Sequence, residues 1–305
     1  MSDPDPGHTP LISVVVRTYN RPERLRECLQ SLAEQTFRDF NVVVVNDGGE
    51  DAEAIARDEL DGLALQYIHN AQNLGRTPTL NVGIENAHGR YVAFLDDDDF
   101  ARPHHLKTLA EAAQGGQRPV VYSDVVNVTF ERDPQTQAWK RVREQLVYSF
   151  DFDRNNFLLA NYIPINCLLI RRDCFDAVGP FDESLSVYED WEFLIRLSRK
   201  FDFVHVAEVT GEYRRRDDNS NIVEKESYPR NEKIVKRRYR EERDAIFDDI
   251  FKRIFQQNRE LRERTGQLQH AIQQNQQLLR QLQEAQKTIN QLQQQVIQLR
   301  QQSGS

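Results

Sequence analysis

The chain has 305 residues, more than a typical single domain, so two structural units are expected. Its hydrophobic share is 39%, with the deficit concentrated toward the C-terminus, while the part before about residue 225 holds enough Val, Ile, Leu and Phe to bury a full core. A net charge of −8 excludes a general nucleic-acid binder, because neutralising phosphates requires a basic surface. In chain order, residues 1–10 are polar, lack an apolar leader-type segment and read as disordered. Leu11 to Val16 is a continuous apolar run rich in β-branched residues, as expected of a parallel strand covered on both faces. Thr18-Tyr19-Asn20-Arg21-Pro22 follows as a turn, with Pro22 suited to the first position of a helix running to about Gln35. Asn41 to Val45 is a second buried strand, ending in Asn46-Asp47-Gly48-Gly49. A helix over Ala52 to Leu60 and a strand over Ala64 to Ile68 come next. A loop from Asn70 to Thr77, a helix to about His88 and the strand Tyr91 to Leu95 lead to four consecutive aspartates, Asp96 to Asp99. This strand–helix alternation specifies a doubly wound, mostly parallel α/β sheet with flanking helices.

After Pro119 the pattern changes. Val120 to Tyr122 and Val125 to Phe130 read as strands, Glu131 to Val142 as a polar hairpin and Phe150 to Ala160 as a helix. Trp191, Leu194, Ile195 and Leu197 fall at helical spacing within Glu189 to Lys200, and Val204 to Tyr213 reads as a late strand. Cys28, Cys167 and Cys174 are odd in number and without metal-type spacing, which suits small buried hydrophobes in a reducing cytosol. With no run of about 18 apolar residues to span a bilayer, a cytoplasmic placement is expected.

From about Asn231 the composition shifts to Arg, Glu and then Gln. With Ile254 at an a position, the a series runs Leu261, Leu268, Asn275, Leu282, Ile289 and Val296. The d series is Gln257, Arg264, Ala271, Leu278, Ala285, Leu292 and Leu299. A coiled coil fits this pattern. β-Branched residues at late a positions, Leu at d and one Asn at a favour a parallel homodimer, with a trimer as the alternative. The expected division is 1–10 disordered, 11–230 the α/β domain, 231–302 a helical extension and coiled coil, and 303–305 a tail.

Open sheets bind ligands in the crevice beyond the carboxyl ends of their strands. Thr18 to Arg21, Asn46 to Gly49 and Asp96 to Asp99 all fall there. Crowded carboxylates raise one another's pKa unless a cation offsets them, and a hard divalent ion shared with substrate phosphates would do so. Asp47 can accept a hydrogen bond from a base imide or a ribose hydroxyl, with an Asp-Gly turn as the competing reading. Arg76 can pair with phosphate or with an aspartate. No Gly-x-Gly-x-x-Gly and no Walker-type loop is present, which counts against dinucleotide binding and P-loop hydrolysis.

In order, Ser13-Val14-Val15-Val16-Arg17-Thr18-Tyr19-Asn20-Arg21-Pro22, Val44-Val45-Asn46-Asp47-Gly48, Asn73-Leu74-Gly75-Arg76, Phe94-Leu95-Asp96-Asp97-Asp98-Asp99 and Phe181-Asp182-Glu183 with Glu189-Asp190-Trp191 resemble the family 2 glycosyltransferases over roughly residues 11 to 222. The resemblance implies a GT-A nucleotide-sugar-binding fold and an inverting transfer from a nucleotide-diphosphate sugar, uridine favoured, to a glycan, lipid-linked or protein hydroxyl with Mn²⁺ or Mg²⁺. It puts Thr18, Tyr19 and Asp47 on base and ribose, Arg21 and Arg76 at the donor, and Arg76 beside the diphosphate. Asp96 and Asp98 match the ends of the family's Asp-x-Asp motif; Asp97 faces the ribose, Asp98 is the direct metal ligand and Asp99 belongs to the loop. Asp190 matches the catalytic base.

One departure stands out. Tyr213-Arg214-Arg215-Arg216-Asp217 carries Arg216 where many members have a metal-binding His. Arg cannot bind a cation but can clamp a diphosphate, leaving His205 or a water as substitute ligands. The processive Gln-x-x-Arg-Trp signature is absent, which favours transfer of one or a few sugars. Lys233, Lys236, Arg237, Arg238, Arg240 and Arg243 are interleaved with glutamates and read as a solvated helix face, with peripheral contact to an anionic membrane as the sharper hypothesis. The competing functions are a nucleotidyltransferase and a coiled-coil scaffold whose head has lost activity.

Overall fold

A computed structural model of the protein describes residues 9–216 and 227–302, with side chains to 295. The chain forms two compact units, Met1–Arg243 and Asp244–Ser305. In the first, β1 (Ile12–Thr18), β2 (Phe40–Asn46), β3 (Ala64–His69) and β4 (Tyr91–Asp96) are parallel in the order β3-β2-β1-β4. Every residue of β1 is buried. That explains its unbroken apolar run: helices cover both faces of the sheet, so no alternation is left to read.

α1 (Pro22–Ala33) starts with Pro22 in its first turn and buries Leu25, Cys28, Leu29 and Leu32 on one face. α2 (Glu53–Glu59) and α3 (Arg76–Glu85) complete the crossovers between the parallel strands. β5 (Asp99–Ala101) and α4 (His105–Ala112) lead into the second half. There β6 (Val120–Arg132) forms a hairpin with β7 (Trp139–Tyr148), and α5 (Arg154–Leu159) precedes β8 (Leu168–Arg171). α6 (Asp173–Val178), α7 (Glu189–Ser198) and β9 (Phe203–Arg216) follow. Among the described residues the sheet runs β3-β2-β1-β4-β8-β6-β9-β5, with β7 on β6. β8 joins both β4 and β6 antiparallel, so the parallel half ends at β4, where the aspartates leave the sheet.

Two sequence expectations are corrected here. Asp99 is not in a loop: it opens β5, opposite Tyr213 of β9, and is buried. His205 is no substitute ligand, because it pairs with Tyr122 near the start of β9 while Tyr213 reaches the aspartates. Their partners on β6, Tyr122 and Asn127, are five residues apart, which puts His205 and Tyr213 about 17 Å apart along the sheet. Both ring nitrogens of His205 also lie against carboxylates, Nε2 on Asp124 at 2.7 Å and Nδ1 on Asp151 at 2.8 Å.

α8 (Ser227–Arg238), which the sequence groups with the helical extension, lies in the first unit. Its Asn231 and Val235 are buried, Asn231 Nδ2 donates to Ser186 Oγ at 3.1 Å, and Arg238 pairs with Asp182 and Glu192. α9 (Arg240–Gln302) is one continuous helix whose C-terminal part forms the second unit. Ile254, Leu261, Leu268, Leu278, Leu282, Ile289 and Leu292 of its heptad stripe are exposed in the single chain. Residues 1–8, 217–226 and 303–305, and the side chains of Val296 and Leu299, lie outside the described set. Among the described residues no helix is long and apolar enough to cross a membrane.

Candidate active site

The register places the site. Arg17 lies opposite Asp96 and Thr18 opposite Asn46, so Thr18, Asp47 and Asp97 leave three adjacent strands at one level. Together with Tyr19, Arg21, Arg76, Asp96 and Asp98 they line a cleft of about 350 Å³, within the range of small-molecule sites.

Asp47 supports one wall. Its Oδ1 accepts from Leu74 N at 2.8 Å and Asn70 Nδ2 at 3.1 Å, and its Oδ2 from Gly75 N at 3.0 Å. The loop comes so close that a Cβ on Gly48, which has φ +73°, would sit 2.3 Å from the Gln72 carbonyl carbon. The glycine is therefore needed by the protein's own loop, which in turn sets Arg76 at the start of α3.

The aspartates are held individually. Arg17, which is buried, donates from Nε to Asp96 Oδ1 at 2.6 Å and from Nη2 to Asp96 Oδ2 at 3.0 Å, a two-pronged clamp. Arg76 Nη2 adds a third contact to Oδ2 at 3.2 Å. Burial alone would raise the Asp96 pKa, but the two arginines outweigh it and bring it down to about 2. Asp97 accepts from Thr18 Oγ1 at 2.8 Å and Arg21 Nη1 at 3.1 Å, yet burial and the charge of Asp98 push it up to about 6. Asp98 Oδ2 takes the other contact of Arg21 Nη1, at 3.1 Å. Buried Asp99 faces Asn166 Nδ2 at 2.8 Å, and burial and Asp98 push its pKa well up.

A single cation links this cluster to α7. Arg17 Nη1 donates to Glu189 Oε1 at 3.2 Å and to the Arg76 carbonyl at 3.1 Å. Asp190, beside Glu189, accepts from its own helix at Trp191 N (2.7 Å) and from Asn161 Nδ2 (3.3 Å). Burial first and the Glu189 charge second push Asp190 up to about 7, a value at which a carboxyl can exchange a proton near neutral pH.

The structure thus brings Thr18, Tyr19, Arg21, Asp47, Arg76, Asp96, Asp97 and Asp98 to one cleft, with Asp190 at a helix start tied to it through Glu189 and Arg17. It does not bring Arg216 there. Arg216 is paired with Glu27, lies over the Phe130 and Trp139 rings, and lines a separate small recess behind the aspartates. Arg17, Glu189 and Asn161 were not singled out from the sequence. Arg17 carried a usable signal, since a charge inside an otherwise apolar, doubly covered strand must be paired.

Among the described residues no three His, Cys, Asp or Glu side chains converge as a metal cage. Both Asp96 oxygens are taken by guanidinium groups, so Asp98 is the better oxygen donor at the cleft. A hard cation held there by one carboxylate and completed by phosphate oxygens fits this donor set.

A family model described as "Glycosyl transferase family 2" matches residues 13–179. The chain is 30% identical over 190 residues to "Uncharacterized glycosyltransferase YwdF" of Bacillus subtilis (strain 168), covering 62% of this chain and 69% of that protein. It shares its fold with the crystal structure of S. aureus TarS 1-349 in complex with UDP-GlcNAc, at TM-score 0.58 and 23% identity over 73% of this chain and 65% of that one. The mannosyltransferase PcManGT from Pyrobaculum calidifontis, in complex with GDP-Man and Mn²⁺, is similar at TM-score 0.50 and 18% identity over 69% and 59% of the two chains. The chain spans less than two thirds of either solved structure.

Proposed function

The chain belongs to glycosyl transferase family 2, and on that premise we propose that it moves a sugar, with inversion, from a nucleotide-diphosphate sugar, UDP-linked first, to an acceptor hydroxyl. Thr18 and Tyr19 hold base and ribose, Asp97 faces the ribose, and Asp47 acts largely through the 70–75 loop that its carboxylate fastens. Arg21 and Arg76 offer guanidinium groups to the donor, Arg76 at the diphosphate. Asp98, with Asp96 as the weaker partner, would hold Mn²⁺ or Mg²⁺, which when bound neutralises charge on the departing diphosphate. Asp190 takes the acceptor proton while the acceptor oxygen attacks the anomeric carbon on the face opposite the leaving group, which gives inversion.

The observation that carries this reading is the Arg17 bridge, which ties the donor-side Asp96 to Glu189, the neighbour of Asp190. A thermal-shift screen of UDP-, GDP- and dTDP-sugars with Mn²⁺, followed by donor hydrolysis, tests it. Stabilisation by one donor class with turnover is expected; neither across the panel would leave the inactive-scaffold reading.

The heptad stripe of α9 supports a parallel homodimer of the second unit, to be measured by sedimentation equilibrium. For the basic stretch, Lys236 pairs with Glu232 and Arg238 with Asp182 and Glu192, which leaves less free charge for peripheral membrane contact. Salt-dependent liposome sedimentation measures what remains.

A further inference from the structure

Tyr188, immediately before the Glu189-Asp190 pair, sits in the left-handed region with φ +61° and ψ +17°. A bulky residue there is strained, which Gly or Asn would largely avoid. A strained aromatic at this position calls for a use of the ring.

The ring is held by two others. Trp191 meets it edge-on at 5.7 Å and Tyr228 at 5.9 Å. Tyr228 is exposed, and Ser186 and Ser227, close in sequence to this pair, line the donor cleft. Burial lifts the Tyr188 phenol, with Glu232, Tyr228 and Asp190 adding to it, so the ring lies within electrostatic reach of Asp190. Tyr213 of β9 lies opposite Asp99 of β5, and burial raises its phenol, as do Asp99, Asp98 and Tyr228. Among the described residues the hydroxyls of Tyr188 and Tyr213 have no hydrogen-bond partner. Aromatic faces with unpaired hydroxyls are apolar in body and polar at the edge.

That chemistry matches a pyranose ring, which offers an apolar face and a rim of hydroxyls. It suits a polyol phosphate poorly. The charges of Asp190 and Glu232 reach Tyr188 and those of Asp98 and Asp99 reach Tyr213, over whose ring Arg215 lies at 5.5 Å. We propose that Tyr188, with Tyr228, forms an acceptor subsite for a sugar ring and that Tyr188 is a specificity-determining residue. The proposal rests on the transferase reading above and names its acceptor class.

The test uses Tyr188→Asn, which removes the ring yet suits positive φ, and Tyr188→Phe, which keeps the ring. Ligand-observed NMR measures binding of methyl hexopyranosides and of glycerol 3-phosphate to the full chain with UDP and Mg²⁺ present. The expected result is pyranoside binding by the natural chain, retained in Tyr188→Phe and weakened about ten-fold or more in Tyr188→Asn, a loss of about 1.4 kcal/mol. UDP affinity should stay constant and the thermal midpoint of Tyr188→Asn should hold or rise. Unchanged pyranoside affinity in Tyr188→Asn, or binding of glycerol 3-phosphate in place of every pyranoside, overturns the subsite alone. Joint loss of UDP and pyranoside in Tyr188→Asn assigns the ring to holding the helix start and also overturns it. No UDP binding by the natural chain overturns the transferase reading itself.

Discussion

At the end of β4 the Asp96 carboxylate lies against Arg17 and Arg76, whereas at the start of α7 Asp190 lies against Glu189. Both are desolvated, and the sign of the nearest charge decides between them: about 2 for Asp96 and about 7 for Asp190. The first stays ionised and can orient cations and donors; the second can take up a proton near neutral pH. Arg17 stands between the two regions, because it spends two nitrogens on Asp96 and one on Glu189.

The comparison breaks most completely if Asp190 is neutralised. Asp190→Asn is expected to lower transfer by about 10²- to 10⁴-fold and leave UDP affinity intact in calorimetry. Activity near the natural level would move the base elsewhere. Next in size, Arg17→Met strands Glu189 and leaves Asp96 with Arg76 alone, and should cost about 3–5 kcal/mol in urea unfolding. A loss below about 1 kcal/mol would mean that the bridge carries little, as exposed pairs do.

The pH profile sharpens the contrast further. With Asp190 as the proposed base, active as carboxylate and with its pKa raised to about 7, the transfer rate should climb as pH rises through about 7, level off above it and fall about ten-fold per unit below it. Asn161 stabilises the charged form, so Asn161→Ala should move that midpoint to higher pH. A midpoint unmoved by Asn161→Ala would detach the bond from the titration. The smallest effect is expected behind the cluster. Arg216→Gln should leave UDP affinity within about 0.5 kcal/mol, since Arg216 faces Glu27 and not the cleft. A larger drop would bring Arg216 back to the diphosphate.

Much of the parallel half was legible in the sequence, because strands covered on both faces must be apolar throughout and their turns carry the polar residues. β1, β2 and β4 end within a residue or two of where their apolar runs stop. β5 was not legible. It is three residues long, begins with an aspartate, and exists because β9 comes back to pair with it. The two late strand readings, Val120 to Tyr122 and Val125 to Phe130, are one strand whose register shifts at Ser123 to Val125, and a bulge leaves no periodic mark. α8 looked like part of a polar extension, yet Asn231 and Tyr239 tie this stretch to α7 and the segment before it.

By itself the sequence determined the α/β alternation, the strand ends at which Thr18, Asp47 and Asp96 gather, and the heptad stripe of α9, since each depends on local periodicity and turn chemistry. Only the tertiary structure decided which carboxylate stays charged, which is poised to take a proton, and that Arg216 pairs with Glu27 and does not line the cleft. Those outcomes follow from burial and from the distances between charges far apart in the chain. Arg17 and Glu189, 172 residues apart, meet only when the sheet and α7 pack together.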